Sequence, residues 1–216
     1  TGGNVSFYNQ SKEYAVYPTP TIGMIGLLED VDRAVGSGFR NPGDDIILLG
    51  DFRPSFGGSE YMNRIFGLNE GDSPDINPES ELRLIRLMNR LASLKLVNSA
   101  HDLSDGGLAV ALAECCITGG IEEMGCNVEF ASDAGRNDLK LFGESQGCII
   151  ISCPCNNSGN VFRIAEDMGV KSALIGKTTS DSTISIGGLI GFSSSKAREA
   201  YYGSIPGLMR SEHQQP

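Results

Sequence analysis

The chain has 216 residues, 40% of them apolar, with 28 glycines: enough for one sizeable core, or for one domain and part of a second, and the mix is globular rather than disordered. A formal net charge of −10 excludes a broad basic face for nucleic acid. No apolar run approaches the ~18 residues of a membrane span, and no secretory signal is visible, so neither nucleic acid nor membrane is an expected partner and the expected location is cytoplasmic.

The sequence opens TGGNVS, without an initiator Met. Gly2 and Gly3 suit a tight turn, Asn4 offers a neutral oxygen ligand and Ser6 a hydroxyl, although by itself the segment reads as a plain turn. Residues 14–17 alternate briefly, and YPTPT then bars a helix. TIGMIGLLEDV, residues 21–31, reads as a buried strand, and VGSGFRNPGDD as a domain boundary. IILLGDF predicts a second buried strand, and RPSFGGSEYMNRIFG a turn feeding a short helix with Ser59 as its cap. A helix is predicted from about Pro78 to Leu96: Asn77 caps it, Pro78 suits its first position, and Leu84, Leu87, Met88, Leu91 and Leu94 form one apolar stripe, with Arg83, Arg86 and Arg90 off it.

LVNSA predicts a strand and GLAVALAECC a closely packed Ala-rich helix, with the polar HDLSDGG at the turn between them. CNVEF, the β-prone CIIISC and KSALIGKTTSD read as strands, STISIGG as a second strand or a hairpin, and NDLKLFG and VFRIAEDMG as helices. SSSKAREAYYGSIPGLMRS closes the chain as one or two Ser-capped helices, and SEHQQP as a frayed tail. Strands and helices alternate irregularly, with hairpin-like connections. This predicts an α+β fold, a three-layer α/β/α sandwich around a mixed sheet, without internal repeats.

Of the six cysteines, Cys153-Pro154-Cys155 invites a zinc reading, but zinc needs four ligands and the only histidines are His101 and His213. Reduced, mostly buried thiols are the expectation. The same scarcity of histidine leaves no Ser–His–Asp or Cys–His arrangement.

HDLSDGG carries the ingredients of a nucleotide-phosphate site. A helix N-terminus bears unpaired N–H groups and partial positive charge, Gly106 and Gly107 let a phosphate approach the backbone, Ser104 adds a donor, and Asp102 can hold Mg²⁺ beside it. The plainer alternative is N-capping by Ser104 or Asp105, with His101 hydrogen-bonded locally. FGESQG places Glu144, Ser145 and Gln146 just before a buried strand, where they either line a cleft or only end a helix.

Together GGNVSFYN, YPTPTIGMIGLLEDV, NPGD, GGSEY, SAHDLSDGGLAVALAE and FGESQG resemble, in order and over nearly the whole chain, the C-terminal part of the phosphoribosylformylglycinamidine synthase family, small type, within the aminoimidazole ribonucleotide synthetase-like superfamily. The resemblance implies that residues 1–36 are the last strands of a second A-type domain and residues 37–216 a B-type domain, so the chain is a piece of a larger enzyme that begins inside a site. The implied activity is an ATP-dependent carbon–nitrogen ligase of purine biosynthesis. It converts formylglycinamide ribonucleotide to the amidine, with ammonia from a separate glutaminase subunit and with a small accessory subunit as a further partner. The implied cofactors are ATP and Mg²⁺. The family pattern puts Gly3 and Ser104 at ATP, Asn4 and Asp102 on Mg²⁺, and Ser6 near substrate. Asp102 and Ser104 belong to a pseudo-symmetric second pocket. Glu144, Ser145 and Gln146 match a substrate-contacting triplet of the other B-type copy. No catalytic residue is expected in this chain, which alone would be inactive. The rival readings are a mainly structural or docking domain and a kinase-like superfamily relative.

Overall fold

The computed structural model describes residues 22–129 and 135–212, together with Gly3, Gln10, Lys12 and Ala15. The chain divides into two units, Thr1–Val31 and Asp32–Pro216. In the first, Gln10 and Ala15 form an antiparallel bridge, and the remainder of the alternating stretch at 14–17 lies outside the described residues. The expectation of a buried strand over 21–31 fails. Residues 22–30 have no strand conformation, and Met24 and Ile25 are 92% and 100% exposed. The sequence has strand composition there, but a strand also needs a hydrogen-bonding neighbour, and the described residues supply none.

The second unit is built on a mixed sheet of seven strands: β1 (Asp45–Gly50), β2 (Ser99–Asp102), β3 (Gly125–Val128), β4 (Cys148–Cys153), β5 (Ser172–Thr179), β6 (Thr183–Ile186) and β7 (Ile190–Ser193), in the order β2-β4-β1-β5-β3-β6-β7. Every neighbouring pair is antiparallel except β3–β6. The helices are α1 (Glu60–Phe66), α2 (Pro78–Ser93), α3 (Gly107–Thr118), α4 (Asn137–Phe142), α5 (Ser158–Asp167) and α6 (Ser194–Glu212). Side chains alternate across a strand, so the continuous apolar run of β1 serves two cores. Ile46 and Leu48 pack with Leu108, Leu112 and Cys116 of α3; Ile47 and Leu49 pack with α2 and with Val161 and Ala165 of α5. The α+β three-layer sandwich is therefore the observed architecture.

α2 follows its pattern. The Asn77 side chain accepts from the backbone N–H of Glu79 and Ser80, and Leu84, Leu87 and Leu91 are buried. Each such leucine contributes about 1.5–3 kcal/mol and the cap about 1, so burial of the stripe dominates. The helix ends at Ser93 because Lys95 turns left-handed (φ 53°), which leaves Leu94 exposed rather than in the stripe. β2 starts later than LVNSA suggested and takes in His101 and Asp102, which pair with Ile150 and Ile149 of β4. Of the two readings of STISIGG, a strand or a hairpin, the structure shows the hairpin, with its second arm β7 lying just beyond that segment. The Gly187–Gly188 pair, at φ 59° and 65°, turns β6 back onto β7. The closing segment is a single helix that includes Pro206.

Five cysteines are buried, Cys155 is exposed, and none is in a disulfide. Burial pushes the Cys115, Cys148 and Cys153 thiols up, away from nucleophilic thiolates. Among the described residues no His, Cys, Asp and Glu group forms a metal cluster, and no helix is long and apolar enough to cross a membrane.

Asp45, at the start of β1, is 6% exposed. Burial alone would raise its pKa. The donors around it, Lys177 Nζ at 2.5 Å, Ser158 Oγ at 2.5 Å and Cys155 Sγ at 3.3 Å, outweigh burial and hold the carboxyl below its ordinary 3.8. A depressed folded-state pKa gives stability that is fully present above 3.8 and lost as pH falls through the folded value. Asp45→Asn is expected to cost roughly 1–3 kcal/mol at pH 7, with the gap to wild type closing as pH drops below 3.8. Urea unfolding across pH measures this, and a gap independent of pH would show that the carboxylate is not linked to folding.

Candidate functional site

Sheet topology brings three polar segments to one edge. β1 and β2 both run antiparallel to β4, so the C-terminal ends of β1 and β2 lie beside its N-terminal end: Gly50 opposite Cys148, and Asp102 opposite Ile149. The loop after β1 holds FGGSEY, the turn after β2 holds HDLSDGG, and FGESQG leads into β4.

FGESQG is fastened to the β1 loop by its backbone. Ser55 and Glu144 exchange both N–H···O bonds at 2.9 Å, and the buried Ser145 Oγ accepts from Arg53 N at 3.0 Å. An aromatic stack lies over the joint, with Tyr61 between Phe56 (5.1 Å) and Phe142 (5.2 Å). Ser59 caps α1, its Oγ accepting from Met62 N at 3.3 Å.

Capping of α3 differs from expectation. Neither Ser104 nor Asp105 caps it: Gly106 occupies the N-cap position at φ 81°, and no side chain of the cap bonds to the helix. The Ser104 hydroxyl donates instead to Asp102 Oδ2 at 2.8 Å. Ser104 stands two positions before the N-cap, outside the position from which a side chain accepts from the first helical N–H groups. The N–H of Gly106 is bound from another segment, by Glu144 Oε1 at 3.0 Å, and the same oxygen accepts from Glu60 N at 2.9 Å. Gly107 follows at φ 70°, so close to FGESQG that a Cβ would lie 2.5 Å from the Gly143 carbonyl oxygen.

Asp102 thus stands at the end of an edge strand, its side chain 74% exposed, beside an exposed hydroxyl and the start of α3. His101 is held locally: Nδ1 donates to the Asp102 carbonyl at 2.7 Å and Nε2 lies 3.3 Å from Glu114 Oε2. The expected residues Asp102, Ser104, Glu144 and Ser145 are brought to one edge; Gln146 is there too and exposed. Gly3 is exposed in the first unit, and Asn4 and Ser6 lie outside the described residues. Sequence reasoning missed Ser55, Arg53 and Tyr61 as the parts that hold this edge together. The aromatic residues flanking GGSEY and GES were the available signal.

As a magnesium–phosphate site, the HDLSDGG turn offers two exposed carboxylates, Asp102 and Asp105, and the Ser104 hydroxyl between them. Mg²⁺ is commonly held by one or two carboxylates, with phosphate oxygens and water completing the octahedron, so the donor set fits a metal that arrives with a nucleotide and not a closed protein cage. An open groove of about 990 Å³ lies between α3, β7 and α6, lined by Ala113, Ile117, Phe192, Tyr201 and Ile205, and it reaches Phe142 of the aromatic stack. Among the described residues that line it, Glu114 is the only charged one, so it offers no basic side chain to a phosphate.

Comparison with known proteins gives a consistent picture. Residues 41–188 match the family model described as AIR synthase related protein, C-terminal domain. Over 212 residues the chain is 41% identical to the phosphoribosylformylglycinamidine synthase subunit PurL of Moorella thermoacetica, covering 97% of this chain and 28% of that protein. It spans under a third of the length of this curated relative. Among solved structures, T. maritima PurL complexed with FGAR superposes with a TM-score of 0.66 at 16% identity, covering 78% of this chain and 30% of that one. T. maritima PurL complexed with ATP superposes at 0.60 and 17%, covering 78% and 28%. At these identities the superpositions speak to the fold alone.

Proposed function

Since the chain belongs to the AIR synthase related proteins through their C-terminal domain, we propose that it works as the C-terminal part of a phosphoribosylformylglycinamidine synthase. That enzyme is an ATP-dependent ligase making the amidine from formylglycinamide ribonucleotide and glutamine-derived ammonia, with a glutaminase and a small accessory subunit as its partners. The observation that carries the reading is the meeting of Asp102, Ser104 and the Gly106–Gly107 turn at one sheet edge, in a chain 41% identical to a protein of that name.

Bound ATP would supply the phosphoryl group that activates the formamide oxygen, with Mg²⁺ neutralising its charge. This chain's residues bind and orient. Asp102 would hold the metal through its exposed carboxylate, and Ser104, whose hydroxyl now rests on Asp102, would turn to a phosphate oxygen. Gly3 and Asn4 would serve the reacting ATP and its metal and Ser6 the substrate beside it, whereas Asp102 and Ser104 would hold the nucleotide of the pseudo-symmetric second pocket. Residues 1–36 would be the end of an A-type domain and 37–216 a B-type domain. The exposure of Ile22, Met24, Ile25 and Leu27, each above 80%, supports the first assignment, because such a run is covered when a neighbouring sheet is present. That same exposure favours the second reading, a chiefly docking role.

The purified 216-residue chain is expected to make no amidine from ATP, Mg²⁺, ammonia and substrate, while the full-length enzyme does. Product formation is the measurement. Amidine from the pure chain would refute the assignment of catalysis to other parts of the enzyme, and none from the full-length enzyme would refute the assigned activity.

A further inference from the structure

The structure assigns Glu144 a role different from the substrate contact that its motif implies: we infer that it is a positioning residue, a carboxylate clamp that sets the Asp102–Ser104 turn. The inference rests on the nucleotide reading only for what that turn holds.

α3 begins without a side-chain cap of its own, at two successive left-handed glycines. Such a start leaves amides to be satisfied from outside the helix, and an amide left unpaired is costly. One oxygen of Glu144 meets this need for Gly106 and also binds the first residue of α1, at 3.0 and 2.9 Å. An ionised acceptor makes such bonds shorter and stronger than a neutral one, and its charge suits two helix starts.

The clamp itself is held fast. Glu144 is bridged through its own N–H and C=O to Ser55, its neighbour Ser145 takes Arg53 N, and Gly143 lies against Gly107. One backbone bridge and one carboxylate therefore tie the α1 loop to the α3 turn. Asp102 and Ser104 stand on the near side of that turn, joined to each other by a hydrogen bond. If Glu144 lets go, Gly106 is free to swing and the carboxylate and hydroxyl lose their fixed relation to the start of α3.

Amide hydrogen exchange on the 216-residue chain tests the clamp without any ligand. In Glu144→Gln the amide oxygen can still accept both bonds but without the charge, so protection at Gly106 and Glu60 should fall by less than in Glu144→Asp. In Glu144→Asp, which keeps the charge but is one methylene short, both amides should exchange at least about tenfold faster. Glu144→Ala should match or exceed this, and Glu144→Asp decides the matter should the alanine variant not fold. Unchanged exchange at both amides in Glu144→Asp overturns the clamp.

In the full-length enzyme, Glu144→Asp should weaken Mg·ADP binding about tenfold or more with the KM for formylglycinamide ribonucleotide unchanged. A raised KM with intact nucleotide binding would make Glu144 a substrate contact and overturn the proposal. Should the full-length wild type bind no nucleotide that Asp102→Asn removes, the nucleotide reading fails, while the exchange result still decides the clamp.

Discussion

Gly107→Ala is expected to lower the stability of the chain by about 3 kcal/mol, the sum of two costs. A non-glycine residue held in the left-handed region costs roughly 1–3 kcal/mol, and Gly107 sits there at φ 70°. The added methyl would lie 2.5 Å from the Gly143 carbonyl oxygen and 2.9 Å from the Phe142 carbonyl carbon. Those are backbone atoms of a segment bonded to Ser55 and Arg53, so they cannot step aside as the end of a flexible side chain could. Forced overpacking of this kind adds about 1–3 kcal/mol. For a chain of this size the sum corresponds to a fall of roughly 6–12 °C in Tm.

Gly120→Ala is the matched control: φ is 78°, but nothing lies within 4 Å of the added methyl. It should therefore show the conformational cost alone, about 1 kcal/mol. Thermal melts of the two variants side by side are the measurement. If they melt together, the close approach of the SDGG turn to FGESQG is not what demands glycine at 107.

Asp102→Asn in the full-length enzyme should abolish Mg-dependent nucleotide binding at this edge while leaving the fold intact. Asparagine keeps the shape and one oxygen but loses the charge that holds the metal. An interaction with an ionised group is worth about 1.5–3 kcal/mol, and its loss near the upper end is roughly a hundredfold in affinity. The side chain is 74% exposed, so the same change should move stability by no more than about 0.5 kcal/mol. Equilibrium binding of Mg·ADP, read together with a thermal melt, separates the two quantities. Unchanged binding and unchanged activity would favour the docking role over the nucleotide role.

The elements most legible in the sequence are those whose signal is local. Asn77-Pro78 and the leucine stripe announce α2, Ser59 announces the start of α1, and IILL and CIII announce the two strands that divide the cores. The turn HDLSDGG was legible as a place where acid, hydroxyl and glycines converge. Its wiring was not. Ser104 looks like a cap because serine before a helix usually is one, yet the helix begins two residues later, with Gly106 at its N-cap, and that amide is bound by Glu144, 38 positions away along the chain. Residues 21–31 misled for a related reason, since their apolar run describes a strand only where another strand lies beside it.

The order of residues along the chain determined the kinds of elements, the two apolar faces of the central strand and the chemical types gathered in each polar segment, because helix and strand periodicity are written in neighbours three, four or two positions apart. Which segments stand together was decided only by the antiparallel pairing of β1 and β2 with β4, and by one glutamate oxygen binding two distant amides. Such contacts join positions whose separation leaves no periodic trace, and their geometry exists only once the sheet has formed.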